Sequence, residues 1–549
     1  MTTADHKTER ESDLQKIMAS EKPRKVVVAG PGTGKSHMFS QLIEAKQKQG
    51  KSKFLAITFI GKLGDALADD LCGLAETTTM HSFARSFVLK HCRGWEYYPH
   101  IYEIIAEDLK NEGIKSFEIG DENYVRKTKY YKAVGNADIV HYAVQICKKD
   151  SSKIPKYDLI LVDEYQDFNS TESELVDLLA QRNEMVIVGD DDQALYDFKG
   201  SSPSFIRLKY HNSNIDWESF TLRFCSRCTK VIIKYFHALV NAYKLNSTTE
   251  TDPAKKRIEK EYICYLTGKK DGKDADSNAN QKIHLIKNCP VGMIARKILS
   301  ELEKLVSTQR IGDVLIIGEG QSCKTLLKTV ARQLKNYGFK NVSYRDDGDI
   351  ITYNESKVDA YRFIAKNESS ILGWRILGNP TGEDEKARHK KNAKTLNTVV
   401  TGTPSTLEKL THKNLLLLES DIEHWENEST DEAERRTAQN EEIRKSVLVR
   451  ELKNTYLNLP RPLCNTDITV CNILNSKGLG ADVVFVIGFD QGKFPAKKDA
   501  TSSEIYQMLV AITRAKKRIY LINTVGKKVS QFADCLNTED LQVQEIDMT

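Results

Sequence analysis

RKVVVAGPGTGKSHMFSQLIEAKQKQ, residues 24–49, carries a strand, a turn and a helix in one line. The apolar, β-branched run that opens it reads as a buried strand. The glycines of the next stretch permit a tight turn, and a helical pattern begins near Lys35. This is half of a βαβ unit. The same grammar returns at KFLAITF (53–59), YDLILVDE (157–164) and EMVIVGDD (184–191), each flanked by helical pattern. Such alternation predicts an α/β fold with a mostly parallel sheet whose working edge lies at the strand C-termini.

A second series begins near Ile311. VLIIGEG (314–320), ITVCNIL (468–474), DVVFVIGF (482–489) and RIYLINT (518–524) read as strands, with CKTLLKTVARQLKNYG (323–338) and SSEIYQMLVAITRAKK (502–517) as helices. Two RecA-like parallel-sheet lobes are therefore expected, each with a mostly helical insertion. The first lobe takes residues 1–90 and 151–221, with an insertion at 91–150. The second takes 222–370 and 461–549, with a polar linker near 245–282 and a charged helical insertion at 371–460 whose most charge-rich part is 381–447. A chain of 549 residues exceeds one hydrophobic core, which agrees with several domains of about 150 residues each.

Composition narrows the class. Hydrophobic residues make up 40% and charged residues 29%, and no apolar run approaches the ~20 residues of a membrane helix. The polar start, MTTADHKTERESDLQK, lacks the apolar stretch of a signal peptide, so a cytoplasmic location is expected. With 81 basic and 76 acidic residues the net charge is +5, so any nucleic-acid track must be local. The 11 cysteines are scattered, as free thiols are. Cys225 and Cys228 form a CxxC pair without a second pair at zinc spacing, which favours buried thiols over a metal site.

The chemistry starts at Ala29-Gly30-Pro31-Gly32-Thr33-Gly34-Lys35-Ser36, which fits the phosphate-loop pattern with alanine as its first residue. Small residues let backbone N–H groups turn inward around phosphate oxygens at a helix N-terminus. Lys35 would reach the β- and γ-phosphates, Ser36 would ligate magnesium, and His37 follows at the rim. The bland alternative is a glycine-rich turn without a ligand. Asp163 and Glu164, ending the buried run LILV, argue against it: one carboxylate can hold magnesium while the other acts as base toward water.

In order along the chain stand AGPGTGKS (29–36), TFIGK (58–62), TMHSF (79–83), VDEYQD (162–167), VGDDDQALYDFKG (188–200), LRFCSRC (222–228), SKGLGADVVFVIG (476–488) and VAITRAKKRIYL (510–521). Together they resemble the superfamily 1 helicases of the UvrD, Rep and PcrA type, from about Gln15 to about Leu521. The resemblance implies ATP and magnesium as cofactors and DNA, single-stranded and partly duplex, as substrate. It also implies roles: Gln15 reads the adenine, Gln193 senses the γ-phosphate and positions water, and Arg227 and Arg514 approach the γ-phosphate from the second lobe. Phe59, His81, Tyr196 and Phe198 match family positions at or near the DNA path, with Lys199 where the family commonly has arginine. Each of these aromatics also has a plain reading as core.

The chain departs from the family at Gly61, usually asparagine, at Leu474, usually histidine, at Gly480, usually glutamate, and at His37, more often threonine or arginine. These changes touch DNA grip and ribose contacts more than hydrolysis. The leading expectation is a motor of 3′ to 5′ polarity, the direction coming from the resemblance. The competing one is a nucleotide-gated DNA-binding module that regulates a partner nuclease. Short helicases of this type stand beside nucleases in antiphage defence systems such as the Gabija type, and DNA repair is the other family setting. Nuclease activity in this chain itself lacks an acidic cluster with lysine at nuclease spacing.

Overall fold

The computed structural model describes residues 3–59, 67–71, 73–196, 200–212, 217–245, 250–269, 272–307, 311–345 and 466–546, with Leu463 and short pieces within 359–378. In chain order the first strands are β1 (Arg24–Ala29), β2 (Phe54–Thr58), β3 (Glu76–Thr79), β4 (Glu96–Tyr97), β5 (Ala133–Val134), β6 (Leu159–Val162), β7 (Met185–Gly189) and β8 (Trp217–Leu222). There follow β9 (Phe224–Cys225), β10 (Ile263–Cys264), β11 (Ile283–Cys289), β12 (Val314–Gly318), β13 (Val342–Arg345), β14 (Ile468–Asn472), β15 (Ala481–Ile487), β16 (Ala515–Thr524) and β17 (Leu541–Glu545). The chain divides into two compact units, one of Met1–Ala84, Ala143–Asp346 and Asn458–Thr549, the other of Arg85–Tyr142 and Asp347–Leu457.

The first unit holds two parallel sheets. One has the order β3-β2-β6-β7-β1-β8 and the other β13-β14-β12-β15-β16-β11-β17, so both expected RecA-like lobes are present. Their strands are apolar without alternation because both faces are covered: Val26, Val27, Val28, Leu161, Ile187, Ile316, Val484 and Leu521 are buried. In the first sheet β1 lies between β7 and β8, and β6 between β2 and β7. The turns leaving β1, β6 and β7 consequently open on one edge, where a parallel sheet presents its ligand crevice. In the second sheet the residues of interest flank strand starts: Gly480 precedes β15 and Arg514 precedes β16.

Local signals explain the helix ends. Helix Lys35–Lys48 begins at Gly34, whose φ of 95° suits glycine. Helices Ser170–Ala180 and Ser502–Thr513 each start with a capping box, Asn169 with Glu172 and Thr501 with Glu504, worth about 1 kcal/mol apiece. The second of these stops at Thr513, short of the helix read from the sequence to Lys517, because the chain turns at Arg514 into β16.

The stretch 245–282 is a packed element in its described part, which corrects its reading as a bare linker. It contributes β10, paired in parallel to β9, and the helix Gly272–Ala279. The side chains of Arg257, Lys260 and Tyr262 are buried in it, because carboxylates and a backbone carbonyl distant in sequence await them.

The second unit holds helices Ile101–Asn111, Glu122–Tyr131 and Ile371–Gly378 around a core that includes Ile104, Ile105, Leu109, Tyr124 and Leu372. Arg375 is wholly buried there and hydrogen-bonds Asp108 at 2.9 Å and Glu107 at 2.8 Å. The expected insertion at 371–460 lies outside the described residues from 379 onward.

Candidate nucleotide site

The loop after β1 is drawn tight by Thr33, whose N–H (3.3 Å) and hydroxyl (2.8 Å) both donate to the Gly30 carbonyl. Gly32 at φ 71° and Gly34 at φ 95° adopt the left-handed conformation that turns successive N–H groups to one side. A side chain at Gly32 has no room: a Cβ there would lie 2.3 Å from the Arg227 Cβ. A cavity of about 440 Å³ opens over the loop, lined by Gly32, Lys35, Ser36, Arg227, Lys273 and Lys516 among others. The glycine cradle, the helix N-terminus and these cations fit a polyphosphate.

The carboxylates stand opposite Lys35. Its Nζ donates to Glu164 Oε1 at 2.7 Å and lies 3.6 Å from Asp163 Oδ1. Burial alone would lower the Lys35 pKa, but Asp163 and Glu164 hold it above its ordinary value. Burial would likewise raise Glu164, yet Lys35 and Lys477 hold it below the usual carboxylate range. At Asp163 burial prevails over Lys35, and the pKa is raised. Glu164 sits at φ 52°, a left-handed position for a non-glycine residue, where its amide donates to Asp163 Oδ1 at 2.9 Å. Backbone strain of this kind costs about 1–3 kcal/mol and gathers at functional sites. The Asp163 carboxylate opposite Lys35 and the hydroxyl of Ser36, the next residue along the loop, are oxygen donors of the kind that would hold magnesium.

Side chains from the second sheet close the arrangement. Gln193 Nε2 donates to Asp190 Oδ2 at 2.7 Å, while its Oε1 accepts from Arg514 Nη2 at 3.1 Å. Arg514 is buried and braced by the carbonyls of Val510 and Leu479, both at 3.1 Å. Burial, with Arg227 nearby, brings its pKa down to about 10, so it remains a cation near neutral pH. Arg227 itself lines the cavity, and the preceding Ser226 amide donates to the Gly32 carbonyl at 2.9 Å. Lys477 bonds the Asp167 carboxylate and donates to the Gln193 carbonyl at 2.8 Å. Burial pushes Asp167 up to about 7, with Lys477 opposing. Sequence reading gave Lys477 no role, although its place in SKGL was a signal.

A second carboxylate group, Asp190, Asp191 and Asp192, has oxygens within 4.8 Å of one another, the spacing of a metal site. The Lys260 ammonium occupies the position between them, at 2.6, 2.7 and 2.8 Å from the three side chains.

The other sequence-derived residues divide. Lys35, Ser36, His37 and Arg227 share the cavity lining, with Gly32 and Gly34. Pro31 is buried and its carbonyl accepts from the Tyr262 hydroxyl at 2.6 Å. Gln15 is exposed on helix Thr3–Ala19 and lies outside the lining of an adjoining cavity of about 280 Å³, to which Arg10, Leu14, Gly34, Met38 and Tyr265 belong. One residue is about a quarter turn of helix, which carries Gln15 away from Leu14's direction. In that cavity the Arg10 guanidinium lies 4.8 Å over the Tyr265 ring, a pairing no motif announced.

Tyr196 is buried, and its ring packs 5.0 Å from Phe59, which is half-buried and also 6.1 Å from Phe168. Of the two readings that the sequence leaves open for Tyr196, its ring's place in a hydrophobic core matches the plain one. His81 lies half-buried with Nδ1 3.6 Å from Glu172. Phe198 and Lys199 lie outside the described residues.

Residues 14–199 match the model of an AAA domain, and residues 385–526 match that of the UvrD-like helicase C-terminal domain. The chain belongs to the UvrD-like superfamily 1 helicases. Among the relatives of this UvrD-like chain is the exonuclease/helicase subunit RexA of Lactococcus lactis subsp. cremoris, 29% identical over 174 residues, which cover 31% of this chain and 14% of RexA. An ATP-dependent helicase/nuclease subunit of Streptococcus agalactiae is 33% identical over 104 residues, 18% of this chain and 9% of the relative. The ATP-dependent DNA helicase Rep of Buchnera aphidicola is 36% identical over 105 residues, 17% of this chain and 16% of Rep. The matched part thus spans under a fifth of each relative's length. Among the described residues no helix is long and apolar enough to cross a membrane.

Proposed function

We propose that this UvrD-like chain is a DNA-stimulated ATPase that moves along single-stranded DNA, with 3′ to 5′ polarity, and separates strands as it goes. The observation that carries the reading is Gln193, bonded at one end to Asp190 of its own lobe and at the other to Arg514 of the second sheet. A side chain shared in this way lets events at one phosphate alter how two lobes are held together. Lys35 and Ser36 hold the triphosphate and magnesium with Asp163, Glu164 acts as base toward the attacking water, and Arg227 and Arg514 supply positive charge from the second lobe. Bound ATP supplies the phosphoanhydride bond whose cleavage drives the cycle. Arg10 and Tyr265 offer flat surfaces for the base ring, a role the resemblance would give to Gln15.

The relatives named as helicase/nuclease subunits support nuclease action alongside the motor, which we assign to a partner protein; DNA repair and antiphage defence are the settings that the family resemblance implies. The burial of Tyr196 favours a second reading, a nucleotide-gated DNA-binding module that regulates such a partner and separates strands poorly. Steady-state ATP hydrolysis with and without single-stranded DNA tests both. Strong stimulation that vanishes in Glu164→Gln supports the motor, and strand displacement then reports polarity. ATP binding with turnover indifferent to DNA favours the module.

A further inference from the structure

Residues 257–262 form a strap whose side chains reach the nucleotide site from outside its motifs. Arg257 clamps Asp192 through two hydrogen bonds of 2.7 and 2.5 Å, and Tyr262 reaches the phosphate loop at Pro31. Between them the Lys260 side chain, 2% exposed, touches all three aspartates, whose side chains are fully buried. From helix Ser204–His211, Arg207 adds a bond to Asp191 at 2.8 Å, and the Ile258 amide donates to the same carboxylate at 3.0 Å. The Tyr506 hydroxyl accepts from Arg207 at 2.9 Å. Three carboxylates thus face three cations, a balance that buried charges require.

The arrangement does more than neutralise charge. Asp190 gives one oxygen, Oδ1, to Lys260 and the other, Oδ2, to the Gln193 amide. Its Oδ1 also caps the turn Asp191–Gln193 by accepting from the Asp192 amide at 3.2 Å. The direction of the Gln193 side-chain oxygen, Oε1, toward Arg514 is therefore set through Asp190, and Asp190 is set by Lys260. A carboxylate without its ammonium partner in this dry position would turn or take up a proton, and Gln193 would lose its fixed acceptor.

We propose that Lys260 is a positioning residue for ATP hydrolysis, fixing the Gln193 side chain through Asp190. This rests on the ATPase reading above, so turnover by the native chain, with single-stranded DNA present, is measured first. No turnover there defeats that reading and carries this inference down with it. Given native turnover, the full chain is compared with Lys260→Met and with the charge-balanced double variant Lys260→Met/Asp191→Asn, following kcat, KM and the affinity for a fluorescent ATP analogue. The expected result is a kcat lower by on the order of 100-fold in both, as displaced catalytic groups give, with analogue affinity within about twofold of native. Native kcat in either folded variant overturns the proposal. So does loss of analogue affinity in parallel with kcat, or failure of both variants to fold, since each marks Lys260 as a structural ion only.

Discussion

Two lysines in this molecule each face adjacent carboxylates, and they do opposite things. Lys35 meets Asp163 and Glu164 at the wall of a cavity that Gly32, Gly34 and Ser36 of the glycine loop also line. Lys260 meets Asp190, Asp191 and Asp192 in a sealed cluster, where Arg207 and Arg257 complete the neutralisation. Within each cluster the pKa values part in the same way: burial would raise Asp191 and Glu164, but Lys260, Arg207 and Arg257 hold the first below the usual range and Lys35 and Lys477 the second, whereas at Asp190 and Asp163 burial prevails and the pKa rises. The difference lies in where the counter-cations come from. Where the chain supplies them all, an acidic cluster is a fixture. Where Lys35 and a Lys477 shared with Asp167 face Asp163 and Glu164 beside a cavity, the carboxylates can accept a further cation.

Glu164→Gln should separate the two most sharply. Loss of a general base costs about 10²–10⁴ in rate, so kcat should fall by about three orders of magnitude while nucleotide affinity is kept, as single-turnover and binding measurements would register. Arg257→Met acts on the sealed cluster and should appear in stability instead. It strips Asp192 of its bidentate partner, and removal of one member of a buried pair costs about 3–5 kcal/mol. Denaturant unfolding measures it, and a change under about 1 kcal/mol would mean the cluster is open to water.

Gly32→Ala probes the open side. The left-handed backbone costs alanine about 1–2 kcal/mol, and its Cβ would collide with Arg227, so kcat/KM for ATP should drop about tenfold or more. The smallest effect is expected at Glu319, a half-buried carboxyl beside the Gly320 amide, Gln507 and Glu504, pushed by burial from 4.5 up to about 7. A raised carboxyl pKa means that ionisation penalises the fold. Stability should therefore decline as pH climbs from about 4.5 to about 7 and level off above. In Glu319→Gln that slope should flatten by about 1–2 kcal/mol, as unfolding midpoints at pH 5 and pH 8 would reveal.

The phosphate loop, the strand ending in Asp163 and Glu164, and the turn carrying Gln193 were legible because each is a local pattern: an apolar run, then small or acidic residues at fixed spacing. The second sheet was legible for the same reason, since VLIIG, VVFVI and IYLIN are too uniformly apolar to be anything but covered strands. The helix read through to Lys517 was cut at Thr513 by a tertiary event, the seating of Arg514 on the Val510 carbonyl at the start of β16. For Tyr196 two readings stayed open, because an aromatic in a DNA-path motif and an aromatic in a core look alike in one dimension. Gln15 was chosen by resemblance alone, and it stands exposed on its helix outside the lining of the cavity to which Arg10 and Tyr265 belong.

The long-range ion pairs and hydrogen bonds had no such signal. Lys260 and Asp191 are 69 residues apart, Tyr262 and Pro31 231, and Lys477 and Asp167 310. By composition the strap around Lys260 is a polar, lysine-rich linker, and the same residues on a free chain would be solvated. By itself the sequence determined the two parallel sheets, the glycine loop and the acidic strand end, because these follow from apolar periodicity and backbone sterics between near neighbours. Which lysine lies against a cavity and which is locked among aspartates was decided only by the tertiary structure, because a buried charge takes its character from every group folded around it.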